Sequence, residues 1–600
     1  MKKYRFLPSL LLAGLLLTGC GSPSPERDAN NEISALQTSE MFTDRDYESS
    51  YDEKDSAVIR MNGDSASCDS PAVQISGSTV TISDEGTYIL SGTLNNGMII
   101  VDAEKTDKLQ IVLNGVEIHS ESTAAIYILQ ADKVFITLPE NAVNTLSGGS
   151  EFSAIDENDI DAVIFSKEDL TFNGSGSLNL ESPAGHGIVY KDDLVVTGGT
   201  YCVTAASHGL SGKDSVRIAG GNLTVTSGKD AIHAENAEDS SLGFLCISGG
   251  TYQLTADGDG LSASGSLQIE AGSFWIQSGG GSANAVTAAS NSNWGSRVPG
   301  SGTAMTSEGS TSAKGIKASG DLLLKGGTFN IDAADDAVHS NGSLAVDGGT
   351  YEITTGDDGF HADSALVITG GSVQITKSYE GIEGVSVTIS GGDFTVYADD
   401  DGINAGGGND QSGFGGPRGQ DSFASSSCYI EISGGKLYVN ASGDGLDSNG
   451  SMTVSGGEIF VSGPTSGGNG ALDSDGEAVI TGGTVIAVGS SQMAENFGSA
   501  STQGSIMVTV GTQSAGSTVQ LIDSNGTVLV SRQTDKTYNS VVISCPEILQ
   551  GGTYTLSAGT YSEQITMESL IYGSGGGMGP GNGRPGMDPG NRAPGMGKGR

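Results

Sequence analysis

The sequence has few basic residues, little proline and few aromatic residues. It contains 28 Lys and Arg residues against 71 Asp and Glu residues, a formal net charge of −43. A surface this acidic repels nucleic acid and anionic lipid, so both are excluded as direct partners. With only 14 prolines beside 94 glycines, the chain is not collagen-like. Such a surface suits cations, or an anionic polymer bound through cations.

Cysteine is also scarce. The chain has 6 cysteines, one of them close to the N-terminus. The others match no metal-binding spacing, and their odd number excludes complete internal pairing, so we assign no disulfide. They are Cys68, Cys202, Cys246, Cys428 and Cys545.

The chain begins with the pattern of a bacterial export signal. Three basic residues within the first five precede an apolar run from Leu10 to Leu17, which is too short to span a bilayer. The following Leu-Thr-Gly-Cys sequence ends at Cys20 and resembles a lipobox. That resemblance implies cleavage after residue 19 and a lipid on the Cys20 thiol. An ordinary signal peptide with an incidental cysteine is the alternative.

Composition divides the rest of the chain into five parts. We expect a flexible tether at 20–70, a β-rich cap or start of a solenoid at 71–150, the solenoid itself at 151–490 and a small β-module at 505–570. A Gly-, Pro- and Met-rich tail at 573–600 is predicted to be disordered. Two insertions, 279–313 and 406–427, interrupt the solenoid. The protein is predicted to be extracytoplasmic, anchored to the membrane by its lipid alone, and monomeric.

Glycine pairs recur through the middle of the chain with a spacing of 22 residues. Between them, apolar and polar residues alternate in short runs separated by Gly or Asp-Gly turns, which predicts about three strands per repeat. Such repeats stack as a parallel β-helix. The steps of 22 join Gly198 to Gly220, Gly326 to Gly348, Gly348 to Gly370 and Gly434 to Gly456.

An apolar position follows each glycine pair at a fixed distance and predicts an inward-facing core column. Its aromatic members could instead form a platform for sugar rings. The column comprises Tyr201, Tyr252, Phe329, Tyr351, Val373, Phe394, Leu437, Ile459 and Val485. Trp275, Tyr397 and Tyr438 are predicted to face outward, where they could stack on neutral glucans.

A second column carries most of the chemistry, and we call it the acidic column. Stacked side chains about 4.8 Å apart in successive coils would repel each other by about 3–4 kcal/mol at an effective dielectric near 20. Its members lie nine residues after each glycine pair, and Lys314 takes the equivalent place once the insertion is allowed for. The column is His208, Asp230, Asp259, Lys314, Asp336, Asp358, Glu380, Asp401 and Asp444. Three residues further on, the companion column comprises Ser211, His233, Ser262, Lys317, His339, His361, Glu383, Asn404 and Asp447.

We interpret the carboxylates of both columns, with the acids one residue earlier, as ligands for Ca²⁺, which takes six to eight hard oxygen ligands. The predicted ligands are Asp259, Asp335, Asp336, Asp357, Asp358, Glu380, Glu383, Asp400, Asp401, Asp444 and Asp447. Turn formation by Asp-Gly is the simpler alternative, because a turn recurs in every coil. A transition metal held by the histidines is a third interpretation.

Several short segments of the sequence resemble those of a known bacterial family. They are Thr87–Gly92, Ile100–Ala103, Val112–Val116, Ala131–Val134 and Ile164–Leu170. They are similar to the carbohydrate-binding-domain family of clostridial surface proteins, and the resemblance runs from about residue 73 to residue 489. It implies a right-handed parallel β-helix related to pectate lyases, bound Ca²⁺, and binding of polygalacturonate-like or cellulose-like polysaccharide at the cell surface.

These observations predict a non-catalytic, calcium-binding polysaccharide receptor. The first alternative is a calcium-dependent pectate lyase, whose base would be Lys314 or Lys317. We expect both lysines to be ion-paired neighbours of Asp336 instead. The second alternative is a structural surface adhesin without a sugar ligand.

Overall fold

The computed structural model describes residues 33, 35–285, 312–406 and 428–573. The predicted signal at 1–19 and Cys20 lie outside these ranges, as do residues 286–311 and 407–427 of the two insertions and residues 574–600 of the predicted tail. Within the described ranges, helices are too short or too polar to cross a membrane.

The fold is all-β, as predicted. One sheet contains 47 strands and is dominated by parallel pairs, and a second, antiparallel sheet contains four. Helical structure in the described residues is limited to short turns at Thr38–Glu40, Asp44–Tyr47 and Ser282–Asn284.

The large sheet is made of three sets of strands, which we call faces 1, 2 and 3 in chain order after each glycine pair. Within a face, each strand pairs in parallel with the next member of that face. Tyr351, for example, lies opposite Phe329 on one side and Val373 on the other. The predicted core column therefore exists as a line of paired residues.

Face 1 consists of Val143–Gly148, Ser177–Ser182, Thr200–Ala205, Asn222–Ser227, Thr251–Ala256, Ser273–Ser278, Thr328–Ala333, Thr350–Thr355, Ser372–Lys377, Asp393–Ala398, Lys436–Ala441, Glu458–Ser462 and Thr484–Gly489. Face 2 consists of Ile126–Gln130, Ala162–Ser166, His186–Tyr190, Leu210–Gly212, Ile232–Ala234, Leu261–Ala263, Ile316–Ala318, Val338–Ser340, Ile403–Ala405, Leu446–Ser448 and Leu472–Ser474.

Face 3 consists of Lys133–Leu138, Asp169–Gly174, Asp193–Val196, Ser215–Ile218, Phe244–Ile247, Leu267–Ile269, Leu322–Leu324, Leu344–Val346, Tyr429–Ile432, Ser451–Val454 and Ala478–Ile480. Three long strands each belong to two faces and join them in one sheet, namely Lys108–Ser120, Phe360–Ile368 and Ile382–Ile389.

The inward column of face 1 forms an aromatic stack in the core. The rings of Tyr252, Phe274, Phe329 and Tyr351 lie face to face at centroid distances of 4.5, 4.8 and 4.7 Å, with planes within 5° of parallel. All four side chains are buried. Parallel in-register pairing places equivalent rings directly above one another, so these aromatics stabilise the core and are not a sugar platform.

The glycine pairs turn the chain from face 3 into face 1. The second glycine has a positive φ, for example 117° at Gly221 and 104° at Gly349, a conformation that L side chains rarely adopt. A Cβ on Gly349 would also lie 2.9 Å from Tyr351 Oη, and that hydroxyl donates to the Gly348 carbonyl at 2.8 Å. The repeat of glycine pairs thus has a backbone cause.

The N-terminal part differs from the predicted flexible tether at 20–70. Its described residues up to Glu48 contact face 3, where Asp46 is buried and its Oδ1 is 2.8 Å from Lys133 Nζ. The hydroxyl of Thr171 donates to the same oxygen at 2.8 Å. Because polar groups make this attachment, the segment shows none of the apolar periodicity that would reveal it in sequence.

Strands before residue 133 begin the same parallel stack. Ala57–Gly63 pairs in parallel with Gly86–Leu94, which pairs with Lys108–Ser120; Thr79–Ile82 pairs in parallel with Met98–Asp102, which pairs with Ile126–Gln130. Two short strands, Ala66–Ser67 and Val73–Ser76, add antiparallel partners at this end.

Antiparallel strands end the stack on the other side. Thr484–Gly489 pairs with Tyr538–Ser544, which pairs with Ser505–Gln513; the latter pairs in parallel with Ile571–Tyr572. The second sheet has the order Val528–Gln533, Thr518–Asp523, Thr553–Ala558 and Tyr561–Thr566. A second hydrophobic cluster, which includes Phe460 and Ile486, joins this sheet to the outer side of face 1.

Candidate functional site

The acidic column lies at the turn that joins face 1 to face 2, two residues before each face 2 strand. There, the carboxylate of one member accepts a hydrogen bond from the backbone N–H of the next. Asp336 Oδ1 accepts from Asp358 N at 3.0 Å, and Asp358 Oδ1 accepts from Glu380 N at 3.3 Å. At these positions the column predicted from spacing therefore consists of residues in direct contact.

The same bond recurs elsewhere in the column. Asp230 Oδ1 accepts from Asp259 N at 2.8 Å, and Asp259 Oδ1 accepts from Lys314 N at 2.8 Å. Turn formation, the simpler interpretation, thus accounts for one carboxylate oxygen of these residues. It leaves the second oxygen and the neighbouring acids to be explained.

Around Lys314, basic groups contact those second oxygens. Lys314 Nζ lies 2.6 Å from Asp336 Oδ2 and 3.1 Å from Asp335 Oδ1, and His339 Nδ1 lies 2.7 Å from Asp336 Oδ2. Burial alone would raise the pKa of Asp336, but Lys314 and His339 hold that pKa well below its usual range. The Lys314 ammonium thus lies between the carboxylates of Asp335 and Asp336, at the position of a metal ion that both could bind.

Histidines compensate the acids at the N-terminal end of the column. His233 Nδ1 lies 2.7 Å from Asp230 Oδ2, and the rings of His186, His208 and His233 stack at 5.1 and 4.4 Å. Burial and the neighbouring His233 lower the pKa of His208 to about 3. His208 is therefore neutral at physiological pH, and Asp230 has a positive partner only in His233.

The column changes character after residue 357. Burial, together with Glu383 and Asp357, raises the pKa of Asp358 well above its usual range. Burial and the charges of Glu383 and Asp401 do the same to the pKa of Glu380. Further along, burial raises the pKa of Asp444 to about 7. Ionised carboxylates are thus disfavoured in this half unless a cation balances them.

A histidine contacts the acids at the start of this half of the column. His361 Nδ1 lies 3.0 Å from Asp358 Oδ2 and 2.6 Å from Glu383 Oε2, and its Nε2 lies 3.1 Å from Asp363 Oδ1. Burial would lower the pKa of His361, yet these carboxylates raise it well above its usual range. Within the described ranges, neither lysine nor arginine forms an ion pair with Asp358, Glu380 or Asp444.

The predicted ligands therefore separate into two groups. Asp259, Asp335 and Asp336 lie beside Lys314 or Lys317, which makes a second cation there unnecessary. The remaining predicted ligands offer mainly carboxylate oxygens, the donors that Ca²⁺ prefers, and their chemistry fits such an ion. They are Asp357, Asp358, Glu380, Glu383, Asp400, Asp401, Asp444 and Asp447.

The two lysines considered as a lyase base are ion-paired, as expected, although their partners differ. Lys314 is buried between Asp335 and Asp336, while Lys317 Nζ lies 3.8 Å from Asp259 Oδ2 and 3.2 Å from Ser312 Oγ. A base must be unprotonated and able to reach substrate. Two carboxylates hold Lys314 as an ammonium, and its side chain is only 3% exposed.

Two acidic groups were missed in the sequence because they lie outside the columns. Asp363 lies two residues after His361 in the same strand and contacts it. On face 3, carboxylate oxygens of Asp169, Asp192 and Asp193 lie within 4.8 Å of one another. Burial, with the charge of a neighbouring aspartate, raises the pKa of Asp169 to about 6 and that of Asp192 to about 7. The Asp192-Asp193 doublet before a strand was the available signal.

Comparison with known proteins gives a family match over most of the chain. The model of the family described as carbohydrate-binding domain-containing protein matches residues 76–359 and 358–564. A carbohydrate-binding domain-containing protein of Acetivibrio thermocellus is 33% identical over 205 residues, which are 34% of this chain and 65% of the relative. The chain thus spans just under two thirds of that relative's length.

One solved structure is similar to part of the chain. It is described as a polysaccharide lyase-like protein from C. thermocellum, in a gadolinium derivative. It is 26% identical, covers 52% of this chain and 96% of its own chain, and has a TM-score of 0.35.

Proposed function

Because this chain belongs to the family of carbohydrate-binding domain-containing proteins, we propose that it binds polysaccharide without cleaving it. We propose further that the three faces form a right-handed parallel β-helix of about 22 residues per coil. The parallel pairing of Phe329 with Tyr351 and of Tyr351 with Val373, each 22 residues on, supports this arrangement. In this proposal Ca²⁺ ions held by the acidic column bind the glycan.

The observation that carries the calcium proposal is the set of acids between Asp358 and Asp444. Neighbouring carboxylates about 4.8 Å apart repel by about 3–4 kcal/mol at an effective dielectric near 20. Burial adds to this cost, as the raised pKa values of Asp358 and Glu380 indicate. A divalent ion between coils removes the repulsion and supplies the charge that Lys314 supplies further up the column.

Calcium also accounts for recognition of an acidic polymer. A chain of net charge −43 repels polygalacturonate at long range. Ions held on one side by Asp358, Glu380, Asp401 and Asp444 keep coordination positions open on the other. Uronate carboxylates or sugar hydroxyls fill those positions, so the ion joins two anionic partners.

The environment of the lysines supports binding without cleavage. Lys314 is buried and contacts two carboxylates, and Lys317 lies beside Asp259. Neither is placed as a free amine facing solvent. If Lys317→Ala abolished formation of unsaturated, ultraviolet-absorbing product from polygalacturonate in the presence of Ca²⁺, the protein would be a lyase. We expect the wild-type protein to form none.

Glu380→Gln tests the calcium site. We expect Ca²⁺ at about 100 times its dissociation constant to stabilise the wild-type protein by about 2.7 kcal/mol. Glu380→Gln should lose most of this gain and, in EDTA, be at least as stable as wild type, because it removes a repelled charge. The control is Glu181→Gln, at an exposed position on face 1 outside the acidic column. An equal calcium response in Glu380→Gln and wild type would contradict the site.

Sedimentation with polygalacturonate tests the bridging. Retention of the protein should require Ca²⁺ and disappear in EDTA, and Glu380→Gln should be retained less than Glu181→Gln. Undiminished retention of wild-type protein in EDTA would exclude calcium bridging.

We also propose that Cys20 carries a lipid and that the monomeric protein is held at the outer surface of the cell membrane by this anchor alone. The lipobox-like sequence before Cys20 supports this. Cys20→Ser should release the protein from the membrane fraction into the medium. Membrane retention of this variant would exclude the anchor.

A further inference from the structure

A groove lies between the outer surface of face 1 and the second sheet. It has a volume of about 550 Å³, within the usual range of about 300–1,000 Å³ for ligand pockets. Four neighbouring face 1 strands form its floor, and Val528–Gln533 forms its opposite wall. Its charged lining residues are Asp393, Lys436, Glu458 and Arg532, and Tyr438 and Phe460 also line it.

Aromatic rings form a line that leads from beside the groove onto its floor. The centroids of Tyr397 and Tyr438 are 5.7 Å apart, as are those of Tyr438 and Phe460. Tyr397 lies beside Tyr438, next to the residues that line the groove, and is 42% exposed, whereas most aromatic side chains of face 1 are buried. The Arg532 guanidinium lies 4.5 Å above the Phe460 ring and 5.4 Å from the Tyr438 ring. The far wall thus places a rigid planar donor over the aromatic floor.

The lining is balanced in charge, in contrast to the rest of the molecule. Asp393, Lys436 and Glu458 are consecutive register partners across three strands, so a basic residue stands between two acidic residues. Arg532 supplies the second cation. Two positive and two negative groups thus line a groove in a protein of net charge −43. Such a lining neither attracts nor repels a charged ligand strongly, but offers hydrogen-bond donors and acceptors side by side.

We propose that this groove binds a neutral hexose chain directly, without a metal ion. The apolar C–H face of a sugar ring stacks on Tyr397 and Tyr438, because aromatic faces carry partial negative charge. The alternating groups of Asp393, Lys436, Glu458 and Arg532 pair with hydroxyls, each of which both donates and accepts. This inference rests on the proposed polysaccharide-binding function and adds a second site to it.

A longer glycan can continue from the groove along face 1. The outward positions Trp275, Asn330, Glu352, Gln374, Thr395 and Tyr438 are successive register partners. At about 4.8 Å per step, this strip extends about 24 Å from Tyr438 to Trp275. Trp275 is 40% exposed and provides a second stacking surface at the far end.

The test uses cellohexaose and calorimetry of the full protein in EDTA, where calcium bridging is absent. We expect saturable binding, weakened about ten-fold or more by Tyr397→Ala and by Arg532→Met. Tyr397 is exposed, so its loss leaves the core intact. The matched control is Tyr47→Ala, another exposed tyrosine, 54% exposed and distant from the groove, which should bind as wild type does.

The outcomes separate this inference from the proposed function. The groove assignment is overturned if cellohexaose does not bind in EDTA, or if it binds Tyr397→Ala and Arg532→Met as tightly as wild type. Calcium-dependent retention on polygalacturonate would still support the proposed function in either case. Absence of binding to every glycan, with or without Ca²⁺, would overturn both. Equal affinity for hexagalacturonate in EDTA would overturn the selectivity for a neutral chain. If only a variant lacking residues 574–600 bound cellohexaose, the occupant would be the chain itself.

Discussion

The ammonium of Lys314 lies 2.6 Å from Asp336 Oδ2, and neither side chain is more than 3% exposed. A second carboxylate, that of Asp335, lies 3.1 Å from the same ammonium. Buried charges of this kind are tolerated only when they are paired. Lys314 therefore serves as an internal cation for one section of the acidic column, whereas Asp358 and Glu383 contact His361 instead.

Replacement of Lys314 by Met should destabilise the protein by about 3–5 kcal/mol, because two buried carboxylates lose their partner. The unfolding midpoint in guanidinium measures the loss, and Ca²⁺ should restore part of it by replacing the ammonium. Lys325→Met is the control, since its ion pair with Glu270 is partly exposed and should contribute less than about 1 kcal/mol. Equal effects of the two substitutions would show that the Lys314 ion pair does not stabilise the fold.

The two glycines of one pair should respond differently to substitution. Gly221 has a φ of 117°, and a Cβ there would lie 3.2 Å from the Gly199 carbonyl oxygen. Gly221→Ala should therefore cost about 1–3 kcal/mol, the range for a strained backbone conformation. At Gly220 the nearest atom to an added Cβ is 3.7 Å away, so Gly220→Ala should cost less than about 1 kcal/mol. Similar melting temperatures for the two variants would contradict this explanation of the repeat.

Attachment of the N-terminal segment should depend on pH through Asp46. Burial would raise the pKa of Asp46, but Lys133 and hydrogen bonds from Thr43 and Thr171 lower it from 3.8 to about 2. Since the folded state binds this proton more weakly than the unfolded state, about 2 kcal/mol of stability is present above pH 4 and is lost as pH falls towards 2.

Asp46→Asn should remove this stabilisation at neutral pH, and the difference from wild type should vanish near pH 2. Limited proteolysis between residues 35 and 55 reports the attachment, and Asp44→Asn, at an exposed position of the same helical turn, is the control. A constant difference between wild type and Asp46→Asn from pH 7 to pH 2 would show that the carboxylate charge is not responsible.

Features that recur with the repeat were predictable from sequence. Tyr351 and Phe329 lie where the alternation after each glycine pair places them, since parallel in-register pairing converts spacing into contact. The line of acids from Asp230 to Asp444 follows from the same rule. The prediction also held for Lys314, whose position in the column identified an ion-paired neighbour of Asp336.

Contacts between distant, non-repeating segments were not predictable. Asp46 attaches to face 3 through polar groups, which produce no periodic signal. Arg532 reaches Phe460 only because the second sheet folds back against face 1. The difference between the two halves of the acidic column depends on which side chains supply the second contact, as His339 does for Asp336. Spacing alone does not specify that contact.

The stack of rings continues across the longest interruption of the repeat. The ring centroids of Phe274 and Phe329 are 4.8 Å apart, close to the 4.5 and 4.7 Å between the other stacked rings. Yet residues 279–315 lie between the face 1 strand that contains Phe274 and the next face 2 strand. Packing in the core therefore does not depend on the length of the insertion at a turn between two strands. Each doubling of the length of such an insertion costs only about 0.6 kcal/mol of loop-closure entropy. New recognition sequences can therefore be inserted at these turns, by evolution or by design, without changes to the strands and the core.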